Sequence, residues 1–185
     1  MNKRKLEEND KKEFVNTNRM NIMNGKINSC ISLYRERINE SDVQKAYRFL
    51  LKYVMQLRTS FEKVLSEEYS CGNVSPGYMD YSYFPFTNDY LRSKGLRFGM
   101  VLNHNEMRFE LWLMGQNKEI QNRYWDILKG SKWNEGLTER PQYADIEKIL
   151  VDTPDFENID KLTADIVNRA VEEADRVIAY LKKLD

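Results

Sequence analysis

The sequence is short of the residues that break regular structure and of those that most often carry chemistry. Among its 185 residues there are 8 Gly and 4 Pro, which predicts long elements and few irregular loops. There are 2 Cys, Cys30 and Cys71, and one His, His104. Two distant thiols argue against a disulfide framework and predict a reduced, cytoplasmic setting. With a single histidine they also exclude zinc sites of the CxxC or HExxH kinds. The sequon at residues 73–75 then carries no meaning as a glycan site. Neither sign of charge is in excess, since Lys+Arg and Asp+Glu each number 29. That balance weighs against nucleic acid as a partner, because phosphate neutralisation supplies most of such affinity. No apolar run reaches the roughly 18 residues of a membrane span, and the first fourteen residues lack the apolar stretch of a secretory signal.

What is present is a core and a clear pattern. Hydrophobic residues make up 41% and aromatics 12%, enough for a domain of this size to bury roughly 70% of its unfolded surface. Residues 1–17 are rich in Lys, Glu, Asn and Asp and read as a disordered charged tail, leaving 18–185 as a single domain. Ile27, Cys30, Ile31, Tyr34 and Ile38 recur at helical spacing. Ser41 and Gln44 form a capping box for a long helix whose stripe is Val43, Tyr47, Leu50, Val54, Leu57, Phe61 and Val64. Turn residues follow Cys71, and strands are predicted over 78–86, 96–103 and 107–114. Pro85 is expected at a strand end or a sheet edge, because proline cannot donate to a ladder. Asn117 caps a helix to about Lys129 with Gly130 as its stop. Residues 146–152 read as a fourth strand. A last helix carries Leu162, Ile166, Ala170, Ala174, Val177 and Leu181 on one side. The order helix, helix, three strands, helix, strand, helix predicts an α+β fold, a mainly antiparallel sheet of about four strands packed on long amphipathic helices.

The stretch 103–118 raises the functional question, because Arg108, Glu110 and Trp112 interrupt an apolar run at every second place. With His104 and Asn105 as a two-residue turn, Asn103 faces Glu106 and the later pairs follow by subtraction. Leu102 then opposes Met107, Met100 opposes Phe109, Phe98 opposes Leu111 and Leu96 opposes Leu113, all on one face. The second face receives Val101 with Arg108, Gly99 with Glu110, and Arg97 over Trp112 as a cation–π pair. Asp80 and Ser82 are expected to look the same way. Two readings stand side by side: an outer sheet face with ordinary cross-strand pairs, or a partly covered face whose carboxylate, arginine and tryptophan line a ligand cleft.

Other candidates are weaker. His104 sits in a turn, with no serine or cysteine placed by sequence to use it. No glycine-rich phosphate loop occurs, and no cofactor or metal is implied. The tyrosine-rich strand and the pair Trp125 and Trp133 read first as core. Arg58 lies one position from the apolar stripe of its helix, so its head is expected to reach a carboxylate, Asp80 or Glu110.

The strings "DVQKAYRFLLKYVMQLRTSF", "GYMDYSYFPFT", "MRFELWLMGQNKEIQNRYW" and "KGSKWN" together resemble an uncharacterised bacterial family known only as a domain of unknown function. The resemblance runs from about Ile31 to about Leu181 and implies one whole-length domain without assigning an activity. The element order also resembles the core of restriction-endonuclease-like nucleases, which hold Mg²⁺ on an acid and a Glu-x-Lys pair. In "FELW" Glu110 matches the acid, with Asp80 as a second carboxylate, but Trp112 stands at the lysine position. The expected function is therefore a non-catalytic binding or interaction domain with its site at Arg58, Asp80, Arg97, Arg108, Glu110 and Trp112. Its partner would be an unknown protein or small molecule. A metal-dependent nuclease, or an inactive relative, is the alternative, and self-association through the long helices is a third.

Overall fold

The computed structural model describes residues 26–65 and 67–185. The expected tail at 1–17 and the side chain of Ser41, half of the expected capping box, lie outside the described residues. Contacts group into two units, Met1–Phe49 and Leu50–Asp185.

In the first unit residues 26–39 form helix α1, as the spacing predicts. Ile27, Ile31, Leu33 and Tyr34 on it are all exposed. Helix α2, Ser41–Leu65, begins after a bend at residue 40 and continues into the second unit.

The second unit is α+β. The remaining part of α2 is followed by β1 (Ser70–Cys71), β2 (Tyr81–Thr87), α3 (Asp89–Ser93), β3 (Leu96–Asn103), β4 (Arg108–Gly115), α4 (Lys118–Leu128), β5 (Ile146–Val151) and α5 (Ile159–Lys182). The strands form one sheet in the order β1-β2-β3-β4-β5, antiparallel throughout. No helix among the described residues is long and apolar enough to cross a membrane.

One face of the sheet meets the helices. Phe84 and Phe86 of β2, Phe98, Met100 and Leu102 of β3, and Phe109, Leu111 and Leu113 of β4 join Leu50, Val54, Leu57 and Phe61 of α2 in one buried cluster. Phe61 packs against Phe84 and Phe86, and Tyr53 against Phe109. The expected α5 stripe of Leu162, Ile166, Ala170, Ala174, Val177 and Leu181 is buried in the same core. On α2 the stripe departs from strict heptad spacing: Tyr53 and Leu65 are buried, whereas Val64 is 65% exposed and Val43 is exposed too. A straight helix drifts about 20° per heptad against a seven-residue repeat, so by Val64 the row has turned from the sheet and Leu65 takes its place.

The hairpin between β3 and β4 corrects the expected register by two residues. Leu102 pairs with Phe109, Met100 with Leu111 and Phe98 with Leu113. The turn occupies residues 104–107 rather than two residues. The Asn103 side chain accepts from the amides of Asn105 and Glu106, each at 3.1 Å, and Met107 closes the turn with φ 50°. A two-residue shift leaves every side chain on the face assigned from the alternation, while the cross-strand partners change.

Pro85 lies inside β2, opposite Gly99, not at its end. Its outer neighbour explains how. The Gly72 amide donates to the Pro85 carbonyl at 2.7 Å, and a regular ladder would return a bond from residue 85 to the Gly72 carbonyl. Proline has no N–H, and Arg58 Nε donates to that carbonyl instead, at 2.8 Å. Arg58 also pairs with Glu62 on its own helix at 3.0 Å. The expected partners Asp80 and Glu110 are not reached, because α2 packs on the core face and Glu110 belongs to the other.

Candidate functional site

The second face begins with the residues that alternate out of the core. Register places Tyr81 opposite Asn103 and Tyr83 opposite Val101 on β2–β3, and Val101 opposite Glu110, Gly99 opposite Trp112 and Arg97 opposite Met114 on β3–β4. Arg97 therefore faces Met114 rather than Trp112, and the expected cation–π pair is replaced by that neighbour. Ser82 belongs to the core face, opposite Leu102, because it is one residue out of phase with Tyr81 and Tyr83.

This face is not open. Val101, Trp112, Met114 and Ala144 form a second, smaller buried cluster with Tyr81 and Tyr83 packed on it. Glu110 is 2% exposed and its carboxylate is fully engaged. Trp112 Nε1 donates to Oε2 at 2.6 Å, and Arg108 Nε and Asn103 Nδ2 donate to Oε1 at 2.5 and 3.1 Å. Two of these donors lie two residues away on the same strand, where alternation puts them beside Glu110. The bond to Glu110 is also the first cause holding the Arg108 guanidinium above its ordinary range. A buried carboxylate is tolerated when charge and hydrogen bonds surround it. Glu110 thus fixes the Trp112 ring and does not itself face the solvent.

Beside that ring is a cleft of about 490 Å³ lined by Asp80, Tyr81, Tyr83, Arg97, Trp112, Met114 and Tyr143, among others. The Trp112 and Tyr143 rings are nearly parallel with centroids 6.3 Å apart, and Tyr81 stands edge-on to them at 4.9 and 6.0 Å. Of the expected site residues, Asp80, Arg97 and Trp112 line the cleft. Glu110 and Arg108 support it, and Arg58 is elsewhere. Tyr143 is a site residue that the sequence alone does not single out, because it lies in the irregular segment before β5. A larger cavity, about 550 Å³, lies between the β1–β2 end and α5. Its walls are mainly exposed and charged, so the aromatic cleft is the better ligand site.

The rim near Asp80 is held by a built loop. Asp80 Oδ1 accepts from the amides of Tyr78 and Tyr81 at 3.0 and 2.7 Å, and these bonds hold its carboxyl below the usual range. Ser75 pairs with Tyr83 in a short bridge. Ser82, fully buried, donates to the Pro76 carbonyl and meets His104 Nε2, both at 2.8 Å. A serine does therefore reach the histidine, contrary to the expectation from sequence. With its own proton given to Pro76, Ser82 receives the His104 bond, which makes Nε2 the protonated nitrogen. No base is left facing this hydroxyl, and the pair ties the loop to the hairpin. Burial pushes the His104 pKa down, against a smaller upward pull from Asp80.

Beneath the loop that carries Tyr143 sits a second polar feature. Asp145 is fully buried and neither carboxylate oxygen has a hydrogen-bond partner. Burial raises its pKa from 3.8 to about 7, with smaller opposing effects from Arg140 and from the Gly115 amide, which approaches without reaching hydrogen-bond geometry. Trp133 is bonded to Glu173 and packs edge-on to Tyr180, a structural contact.

Residues 27–181 match the family described as a domain of unknown function, DUF7000. The chain belongs to that family. The DUF7000 match takes in α1, the whole sheet and α5 to its last buried residue, Leu181, so the Trp112 cleft lies within it. No curated protein and no solved structure matches the chain.

Proposed function

We propose that this DUF7000 chain is a non-catalytic binding domain that works in the cytoplasm and takes its ligand into the Trp112 cleft. The observation that carries the reading is the convergence of Tyr81, Tyr83, Trp112 and Tyr143 with the Asp80 carboxylate and the Arg97 guanidinium on a single concavity. Ligand sites are concave and mostly apolar, with few polar groups in fixed places. The ring of Trp112 is locked by Glu110, which is the preorganisation a binding site needs. Unpaired Cys30 and Cys71 support the reduced setting.

The test is a small-molecule screen read by NMR at the Trp112 indole N–H, assigned with Trp112→Phe. Saturable movement of that signal, with those of Trp125 and Trp133 unmoved, is the expected result. A screen in which no compound moves it would overturn the proposal. Cleavage of DNA or RNA by the same preparation with Mg²⁺ or Mn²⁺, lost on Glu110→Gln, would favour the nuclease reading instead.

A further inference from the structure

The rings of the cleft point to the class of ligand. Resting on the binding reading above, we infer that Tyr81, Trp112 and Tyr143 form a cage for a quaternary or methylated ammonium group, with Asp80 as its counter-charge. The three centroids lie 4.9 to 6.3 Å from one another. A cation above them can therefore stand within about 6 Å of every ring, the range in which the ring quadrupole attracts it. Trp112 and Tyr143 are nearly parallel with centroids 6.3 Å apart, too close to admit a flat group between them, so a ligand meets the three rings from above.

Charge around the rings has the matching sign. Asp80 adjoins Tyr81, and two hydrogen bonds from backbone amides keep its carboxyl ionised. The Tyr81 phenol is pushed up by burial first, and then by the charges of Glu147, Glu110 and Asp80. With the Glu110 charge matched by Arg108, Asp80 and Glu147 are the carboxylates that make its surroundings negative. Arg97 stands at the other end of the cleft. It lies two residues along β3 from Gly99, the residue opposite Trp112, and six from Asn103, the residue opposite Tyr81, so Asp80 and Tyr81 mark the anionic end of the cleft. The site is open at Tyr143, which is 45% exposed.

The probe is choline chloride, titrated into the full chain by calorimetry and by the Trp112 indole signal. Its uncharged isostere, with carbon in place of nitrogen, serves as the control. Choline is expected to bind, with the isostere weaker by roughly three- to thirtyfold, the worth of a cation–π contact. Tyr143→Leu, which keeps bulk and removes the ring at an exposed position, lowers choline affinity by a similar factor, and Tyr143→Phe retains it. Asp80→Asn, which keeps the Oδ1 acceptor, weakens choline several-fold and leaves the isostere unchanged. Equal binding of choline and isostere overturns the cation site and leaves the binding domain standing. The cation site falls in the same way if other small molecules move the Trp112 signal and choline does not, or if Tyr143→Leu binds choline as the unaltered chain does. A Trp112 signal that nothing moves takes both proposals down together.

Discussion

Glu110 on β4 and Asp145 just before β5 are both buried acids, and they resolve burial in opposite ways. Glu110 gathers three donors, so its charge is matched where it stands. Asp145 has none, and its carboxyl keeps its proton to about pH 7 against 3.8 in the usual case. Between those values the folded chain holds a proton that the unfolded chain has released. Stability from this group is therefore full below pH 3.8 and falls as pH rises through 7. Asp145→Asn should match the unaltered protein near pH 4 and exceed it by about 1–3 kcal/mol above pH 7, the cost of a buried unpaired group. Thermal melts across that pH range check this, and a gain that is equal at both ends would refute it. The face of Glu110 is legible in the sequence, because period-two alternation needs no knowledge of the partner strand. Two of its donors, Arg108 and Trp112, are in view for the same reason. The burial of Asp145 is not legible, since it depends on a long irregular segment folding back over the end of β5.

At the scale of elements, the hairpin shows what a pattern fixes and what it leaves open. Alternation decides which face a residue takes. It cannot tell a two-residue turn from a four-residue one, because both keep the parity, and here the Asn103 side chain selects the longer turn. Strand β1 and helix α3 escape sequence analysis for a simpler reason: two and five residues are too few to show a period. Pro85 misleads in an instructive way. Proline inside a strand is a defect only if the orphaned carbonyl opposite it stays unpaired, and Arg58 pairs it. This predicts a coupling. Arg58→Met should cost about 1–2 kcal/mol in the unaltered chain, as a lost hydrogen bond to a part-buried carbonyl does. In a Pro85→Val background, which restores the missing amide, the cost should fall by more than half. A double-mutant cycle from urea melts measures it, and additive effects would show that Arg58 does not stand in for the amide.

At the scale of the whole molecule, charge is plentiful and mostly local. The sequence carries 29 cationic and 29 acidic side chains, and many observed pairs are exposed neighbours one helical turn apart, such as Arg37–Glu40, Lys45–Asp42 and Lys129–Asp126. Pairs of that kind contribute little and are screened by salt. Stability should therefore change by less than about 1 kcal/mol between low salt and about 0.5 M NaCl, measured by chemical denaturation. A larger loss would mean that the exposed charge pairs, which salt screens most, carry a substantial part of the stability.

The same Pro85 has a consequence beyond the single molecule. A sheet whose outermost strand is long and regular invites a neighbouring chain to add to it, and repeated addition makes fibres. On this side the outermost strand lasts two residues before the chain turns off past a ring that cannot donate. An incoming strand finds a foothold too short to template growth.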